Sequence, residues 1–254
     1  MSIIKIKNSF VFQNGIIVGL SIFKILLIMK VAKIIPVLSM LAGLMLAFTN
    51  AKCQDKQKEI EKIDASIAVL KDFSQMKESI PRELMQITEG IIVVPKLINA
   101  GFVIGGKRGK GIAIVKLEDG TWSNPVFVTI TGGSVGFQAG VQAVDLVLVF
   151  KNRETLEDIG NGSFTLGGDV SVTAGPVGRS STASTDYKLE AEVYSYSRSK
   201  GLFAGISLGG SAISIDKNAN VAFYGNEADA ETIFADTSSS SDAVEQLKNV
   251  LKEM

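Results

Sequence analysis

The sequence predicts an α+β protein built on a strongly curved or barrel-like, mainly antiparallel β-sheet with flanking helices. Three observations carry this. From Ile91 to Tyr224 short apolar runs recur between Gly, Asn, Asp and Pro, the punctuation of strands and turns. Inside them apolar and polar residues alternate: Phe164, Leu166, Val170 and Val172 against Thr165, Asp169, Ser171 and Thr173, as in strands with one buried and one wetter face. Long helical periodicity is found only on the flanks of this region.

The first fifty residues stand apart. They contain no acid, five lysines (Lys5, Lys7, Lys24, Lys30, Lys33) and two apolar stretches. From Met29 to Ala51 the chain has the basic, apolar and small-residue parts of a secretory signal, so Met29 is the expected start and Ala51 the expected cleavage point. Two alternatives compete: a pair of membrane spans, opposed by Lys24 and Lys33 inside short runs, and lipid attachment at Cys53, opposed by Lys52 before it. The expected organisation is 1–51 extension and signal, 52–79 amphipathic helix, 80–236 main domain, and 237–254 serine linker with a C-terminal helix. An exported, periplasmic or envelope-membrane-associated location follows. Removing five lysines from 26 basic residues leaves 21 against 26 acidic ones, a mildly acidic remainder that disfavours nucleic acid as a partner.

In order, Ile60, Ile63, Ile67, Leu70 and Phe73 form the stripe of an amphipathic helix. Its lysines are diluted by Asp55, Glu59, Glu61, Asp64 and Asp72, which favours docking on the domain over lying in a membrane interface. Pro81 opens a short helix that Gly90 can end. Strands are expected at 91–94, 101–104, 111–117, 126–131, 136–150, 164–174, 187–197, 202–215 and 221–224. Short helices are expected at 154–159 and 228–234. Past the serines at 238–241, Ala243, Leu247, Val250 and Leu251 mark a last amphipathic helix.

The chain has no histidine and one cysteine, which removes the commonest general base, the commonest metal ligand and a structural zinc site. Asp145 and Asp169 are the main acids within strand patterns, and nothing pairs them for catalysis, so no enzyme, cofactor or metal is expected. GFVIGGK (101–107) has phosphate-loop spacing but continues with Arg108 and a strand in place of Ser or Thr and a helix. It reads instead as a glycine-flanked hairpin turn, 105–111, displaying Lys107, Arg108 and Lys110; lysines that merely guard a sheet edge are the alternative. Asp145 lies among Val141, Ala143, Val147 and Val149 and needs a partner. Around Ser199-Lys200-Gly201, Tyr194, Tyr196 and Arg198 share one strand face, and Gly205, Ser207 and Gly209 another.

That segment, YSYSRSKGLFAGISLGG (194–210), resembles the SYLF-domain family, as do GPVGR (175–179), NANVAFYG (218–225), IPRELM (80–85), GFVIGGKRGKG (101–111), WSNPVF (122–127) and SVGFQAGVQAVD (134–145). The resemblance covers about Ile80 to Gly225. It implies a module without a known reaction that binds anionic phospholipid, or actin in eukaryotic members, helped to the membrane by an N-terminal segment. Its expected contacts here are Lys107, Arg108, Lys110, Arg179, Arg198 and Lys200, with Phe203 inserting. Arg179 matches the family pattern and could bind phosphate bidentately, or pair with Asp145 or Asp169. Partners expected are an anionic membrane, or a protein partner or second copy bound through the curved sheet; actin is not expected, because a secretory signal would place the chain where actin is absent.

Overall fold

The computed structural model describes residues 55–254 apart from 77–79, 176–190, 200–201, 204–205 and 226–228. The signal, the spans and the Cys53 site expected near the start lie outside the described residues. Among these, no helix is long and apolar enough to cross a membrane.

Among the described residues seven strands form one sheet: β1 Gly90–Val115, β2 Val126–Phe150, β3 Ser163–Leu166, β4 Val172–Ala174, β5 Val193–Ser199, β6 Leu202–Phe203 and β7 Ser211–Ile215. The order is β3-β7-β2-β5-β4, with β1 along the other edge of β2 and β6 beside β5. Every pairing is antiparallel except β4 with β5. The result is the curled, mainly antiparallel α+β arrangement that the turn spacing predicts.

The curl comes from one long ribbon. β1 and β2 pair from Gly90↔Phe150 to Ala113↔Val126, and β1 then doubles back on itself. A Cβ on Gly111 would overlap the carbonyl oxygen of Val93, one on Gly109 would meet Val94 and Leu97, and the Lys116 N–H donates to the Glu89 carbonyl at 2.7 Å. The start and end of β1 therefore run side by side, antiparallel, and the ribbon bends near residue 102. Opposite the bend β2 carries two extra residues, since Gly101↔Gly140 is followed by Val103↔Gly136; the outer strand of a bent ribbon has the longer path. A second bulge lies on β1 at Pro95-Lys96, where Lys96 takes φ 60° and its N–H is held by the Asp145 carboxylate at 3.1 Å.

Both faces of the sheet are covered, which is why 91–94 and 146–150 are continuous apolar runs. On one face Ile91, Val93, Ile112, Phe127, Val147 and Tyr196 pack with helix α1 (55–75) and with α2 Arg82–Gln86, α4 Lys217–Tyr224 and α6 Asp242–Glu253. Ile63, Ile67, Leu70 and Phe73 of the predicted stripe are all buried there. On the other face Ile92, Val94, Val128, Leu148 and Ile213 pack with α3 Glu154–Glu157, a 3-10 turn at Asp158–Asn161, and α5 Ala230–Ala235.

Several expectations are corrected here. The strands expected at 91–94, 101–104 and 111–117 are one strand, as are 126–131 and 136–150, because the glycines between them serve the bend and its close contacts instead of ending the strands. Residues 221–224 are helical, although Val-Ala-Phe-Tyr suits a strand: Asp216 caps α4 by accepting from the Ala219 N–H, and Asn220 fastens the helix to the sheet. The Asn220 side chain accepts from the Phe127 N–H at 2.9 Å and donates to the Phe127 carbonyl at 3.1 Å, satisfying one strand residue as a neighbouring strand would. Gly90 begins β1, and α2 ends earlier, at Gln86.

Gly111→Ala is expected to destabilise the protein by about 2–3 kcal/mol, because backbone must move to admit the methyl group. Gly133→Ala, with nothing within 4 Å, should stay within about 0.5 kcal/mol. Urea unfolding of the two variants checks the pair.

Candidate binding surface

The 105–111 segment is not a turn. It lies within β1, so its side chains alternate between faces. Lys107 points to the inner apolar side, is 5% exposed, and its Nζ donates to the Ser207 carbonyl; burial holds its ammonium pKa below the usual lysine value. Lys110 is half-exposed and pairs with Asp216 at 2.7 Å, tying β1 to the cap of α4. Arg108 is exposed, and among the described residues no carboxylate lies within ion-pair distance of it. The three cations thus do not share one displayed corner.

Arg198 is also engaged. Its guanidinium pairs with Asp145 at 2.9 Å, directly across the β2–β5 register, pairs with Asp72 of α1, and lies over the Phe73 ring at 5.8 Å. Asp145 therefore has a partner in Arg198. Arg179 and Lys200 lie outside the described residues. Phe203 pairs through its backbone with Arg198 in the β5–β6 hairpin.

The bend of the ribbon was missed as a surface. β7 pairs with β2 up to Gly132 and β5 pairs from Asp145, so between them one edge of β2 has no partner strand among the described residues. Neither Leu97–Gly106 nor Gly132–Val144 contains a charged residue. Val141 is 75% exposed, with Gly140, Gln142 and Ala143 exposed beside it. Glycine made this segment look like a chain of turns; the signal available was two uncharged stretches, ten and thirteen residues long, either side of a segment carrying Lys107, Arg108 and Lys110.

Two grooves meet at Leu117 and Arg153. The larger, 650 Å³, is lined by Glu157, Asp158, Asp229 and Glu231, the wrong charge for an anionic ligand. No group of three or more acidic or Cys side chains suited to a metal ion occurs among the described residues.

Other motif residues hold the fold. In the 122–127 motif the Ser123 hydroxyl accepts from the Val115 N–H at 3.1 Å, and Asn124 links Asp236 and Lys248 at 3.0 and 2.9 Å. The Tyr224 hydroxyl of the 218–225 motif donates to the Pro125 carbonyl at 2.7 Å.

Residues 131–254 match the family model Ysc84, described as "Las17-binding protein actin regulator". LAS seventeen-binding protein 3 of Saccharomyces cerevisiae is 34% identical over 202 residues, 78% of this chain and 44% of that protein. Protein YSC84 of the same yeast is 37% identical over 159 residues, 61% of this chain and 34% of that protein. The human SH3 domain-containing YSC84-like protein 1 is 33% identical over 177 residues, 66% of this chain and 52% of that protein. The chain spans about half the length of the relatives it matches, or less. These names describe binding and regulation, not a reaction. They overturn the expectation that actin is out of place as a partner: the matching family is itself described by actin regulation.

Arg198→Met, which leaves Asp145 and Asp72 facing apolar surface, is expected to cost about 2–3 kcal/mol in urea unfolding, below the loss for a fully buried pair because Asp72 is half-exposed. Asp216 gives a pH test. Burial pushes its carboxyl up, but the Lys110 hydrogen bond, the Ala219 N–H and the charges of Lys110 and Lys62 bring it below the usual value. A carboxylate depressed in the fold stabilises above its unfolded pKa, and that contribution is lost as pH falls through the folded one. The stability gap between wild type and Asp216→Asn should therefore be constant near neutral pH and shrink as the pH falls below about 4, the unfolded carboxyl value.

Proposed function

Because the chain belongs to the Ysc84, or SYLF-domain, family, we propose that it is a non-catalytic binding module that associates with anionic phospholipid headgroups at a membrane surface. The observation that supports this most is the bent ribbon: an uncharged, largely apolar stretch on both strands, exposed at Val141, with Arg108 and the half-exposed Lys110 at its base. Its backbone is already paired strand to strand, so entering the headgroup region carries little of the penalty of unsatisfied amides. A few cations contribute about 1 kcal/mol each near an anionic surface, too little alone, and an inserting apolar tip supplies the second contribution that stable association requires. In this reading Lys107 and Arg198 shape the fold, and Arg179, Lys200 and Phe203 are further contacts.

The names of the relatives favour a second reading, in which the module binds a protein of an actin-regulating assembly. The unpaired edge of β2 between Gly132 and Asp145 could accept an added strand.

Sedimentation of the full chain with vesicles separates the two. Phosphatidic-acid vesicles should pellet it, neutral phosphatidylcholine vesicles should not, and salt should weaken the binding. Val141→Glu is expected to weaken it about tenfold. Equal pelleting with both vesicles, or none with either, rejects the lipid reading; co-sedimentation with filamentous actin in the absence of lipid would select the protein one.

A further inference from the structure

Lys107, Gly132 and Ser211 are consecutive partners across three strands, Lys107↔Gly132 and Gly132↔Ser211, so all three face the same side of the sheet. Two strand spacings separate the outer pair, about 10 Å between Cα atoms. Gly132 carries no side chain between them, and the Ser211 hydroxyl lies close over it: a Cβ there would stand 2.8 Å from the hydroxyl oxygen. Ser211 is 0% exposed, and its Oγ is the one buried side-chain polar atom without a hydrogen-bond partner among the described residues. Lys107 is 5% exposed and has no carboxylate within ion-pair distance among the described residues. Its single acceptor among the described residues is the Ser207 carbonyl, four residues before Ser211 and joined to it through the turn in which the Ser211 N–H donates to the Leu208 carbonyl at 2.9 Å.

A buried ammonium with only a neutral acceptor, beside a buried hydroxyl with none, is an arrangement of donors awaiting an acceptor. We propose that Lys107 and Ser211, which flank Gly132 on one face of the sheet, form a binding site for a phosphate-type oxyanion. The ammonium keeps donors free beyond the one given to Ser207, the hydroxyl supplies another, and an anion would balance the buried charge. Burial already lowers the ammonium pKa, as expected of a cation lacking its counter-ion. Entry is short: Ser207, Gly209 and Gly210, in the irregular stretch leading to β7, are exposed. The oxyanion could come from a lipid headgroup, in which case the site rests on the membrane reading above, or from free phosphate, in which case it stands alone.

Two probes applied to the full chain distinguish these sources: inorganic phosphate, read as a rise in Tm, and phosphatidic-acid against phosphatidylcholine vesicles, read by sedimentation. The variants are Lys107→Met, which keeps length and removes charge, and Ser211→Ala, which removes one oxygen and keeps the fold if the first does not. Circular dichroism checks folding of both. A phosphate-induced rise in Tm that disappears in Lys107→Met and weakens about tenfold in Ser211→Ala supports the site with free phosphate as ligand. Vesicle binding weakened about tenfold by both variants, with no response to inorganic phosphate, supports it with the headgroup as ligand. Variants that match wild type in both assays overturn the site while leaving the membrane reading standing. Wild type that responds to phosphate but not to vesicles keeps the site and rejects the membrane reading; wild type that responds to neither rejects both.

Discussion

The fold depends on two stretches of one strand approaching more closely than a side chain permits. Where Gly111 faces Val93, and Gly109 faces Val94 and Leu97, a Cβ would occupy the space already filled. Glycine there lets the ribbon close on itself, and the closed ribbon gives each apolar cluster a continuous wall. Straighten it, and α1, α4 and α6 lose the surface they cover on one face, while α3 and α5 lose theirs on the other. Ile112 and Ile114 face the first group and Ala113 and Val115 the second, so one bend serves both sides at once.

The cations inside this frame act mainly as ties. Arg198 connects α1, β2 and β5; Lys110 connects β1 to the start of α4; Lys248 of α6 reaches Asn124 beside β2. With Arg198 and Lys110 matched in this way and Lys107 buried, the protein does not display the expected cationic cluster as a whole. Its distinctive exterior is instead the uncharged bend. On the proposed membrane reading, such a surface would rely on apolar contact first and on a few cations second, which is a different balance from the cationic corners that a linear reading of the lysines suggests.

The helices and the buried strands were legible because their signals are local. The α1 stripe repeats every three or four residues, and 91–94 and 146–150 are apolar runs whatever they pack against. Asp145 was recognisable as an acid requiring a partner, but finding Arg198 depends on strand register, which links positions 53 residues apart. Likewise α4 was mistaken for a strand because Asn220 acts on Phe127, 93 residues away. The burial of Lys107 could not be foreseen from a glycine-rich stretch that suits an exposed turn equally well; only the pairing of β1 with β2 assigns it a face. Several motif residues carrying the family likeness, Asn124, Arg198, Asn220 and Tyr224 among them, prove to be joints of this kind, and these say less about the ligand than about the fold.

The two bulges have a consequence for assembly of the molecule. A long two-stranded ribbon can slide by two residues and recover most of its hydrogen bonds, so alternative alignments compete during folding. Here the surplus residues lie on opposite strands, two on β2 near the bend and one on β1 beside Asp145. A shifted alignment would have to dissolve both kinks and would carry the Lys96 amide away from the Asp145 carboxylate. The irregularities thus work as keys cut at different depths: only one alignment turns the lock, and the ribbon that reaches it has no neighbouring one to slip into.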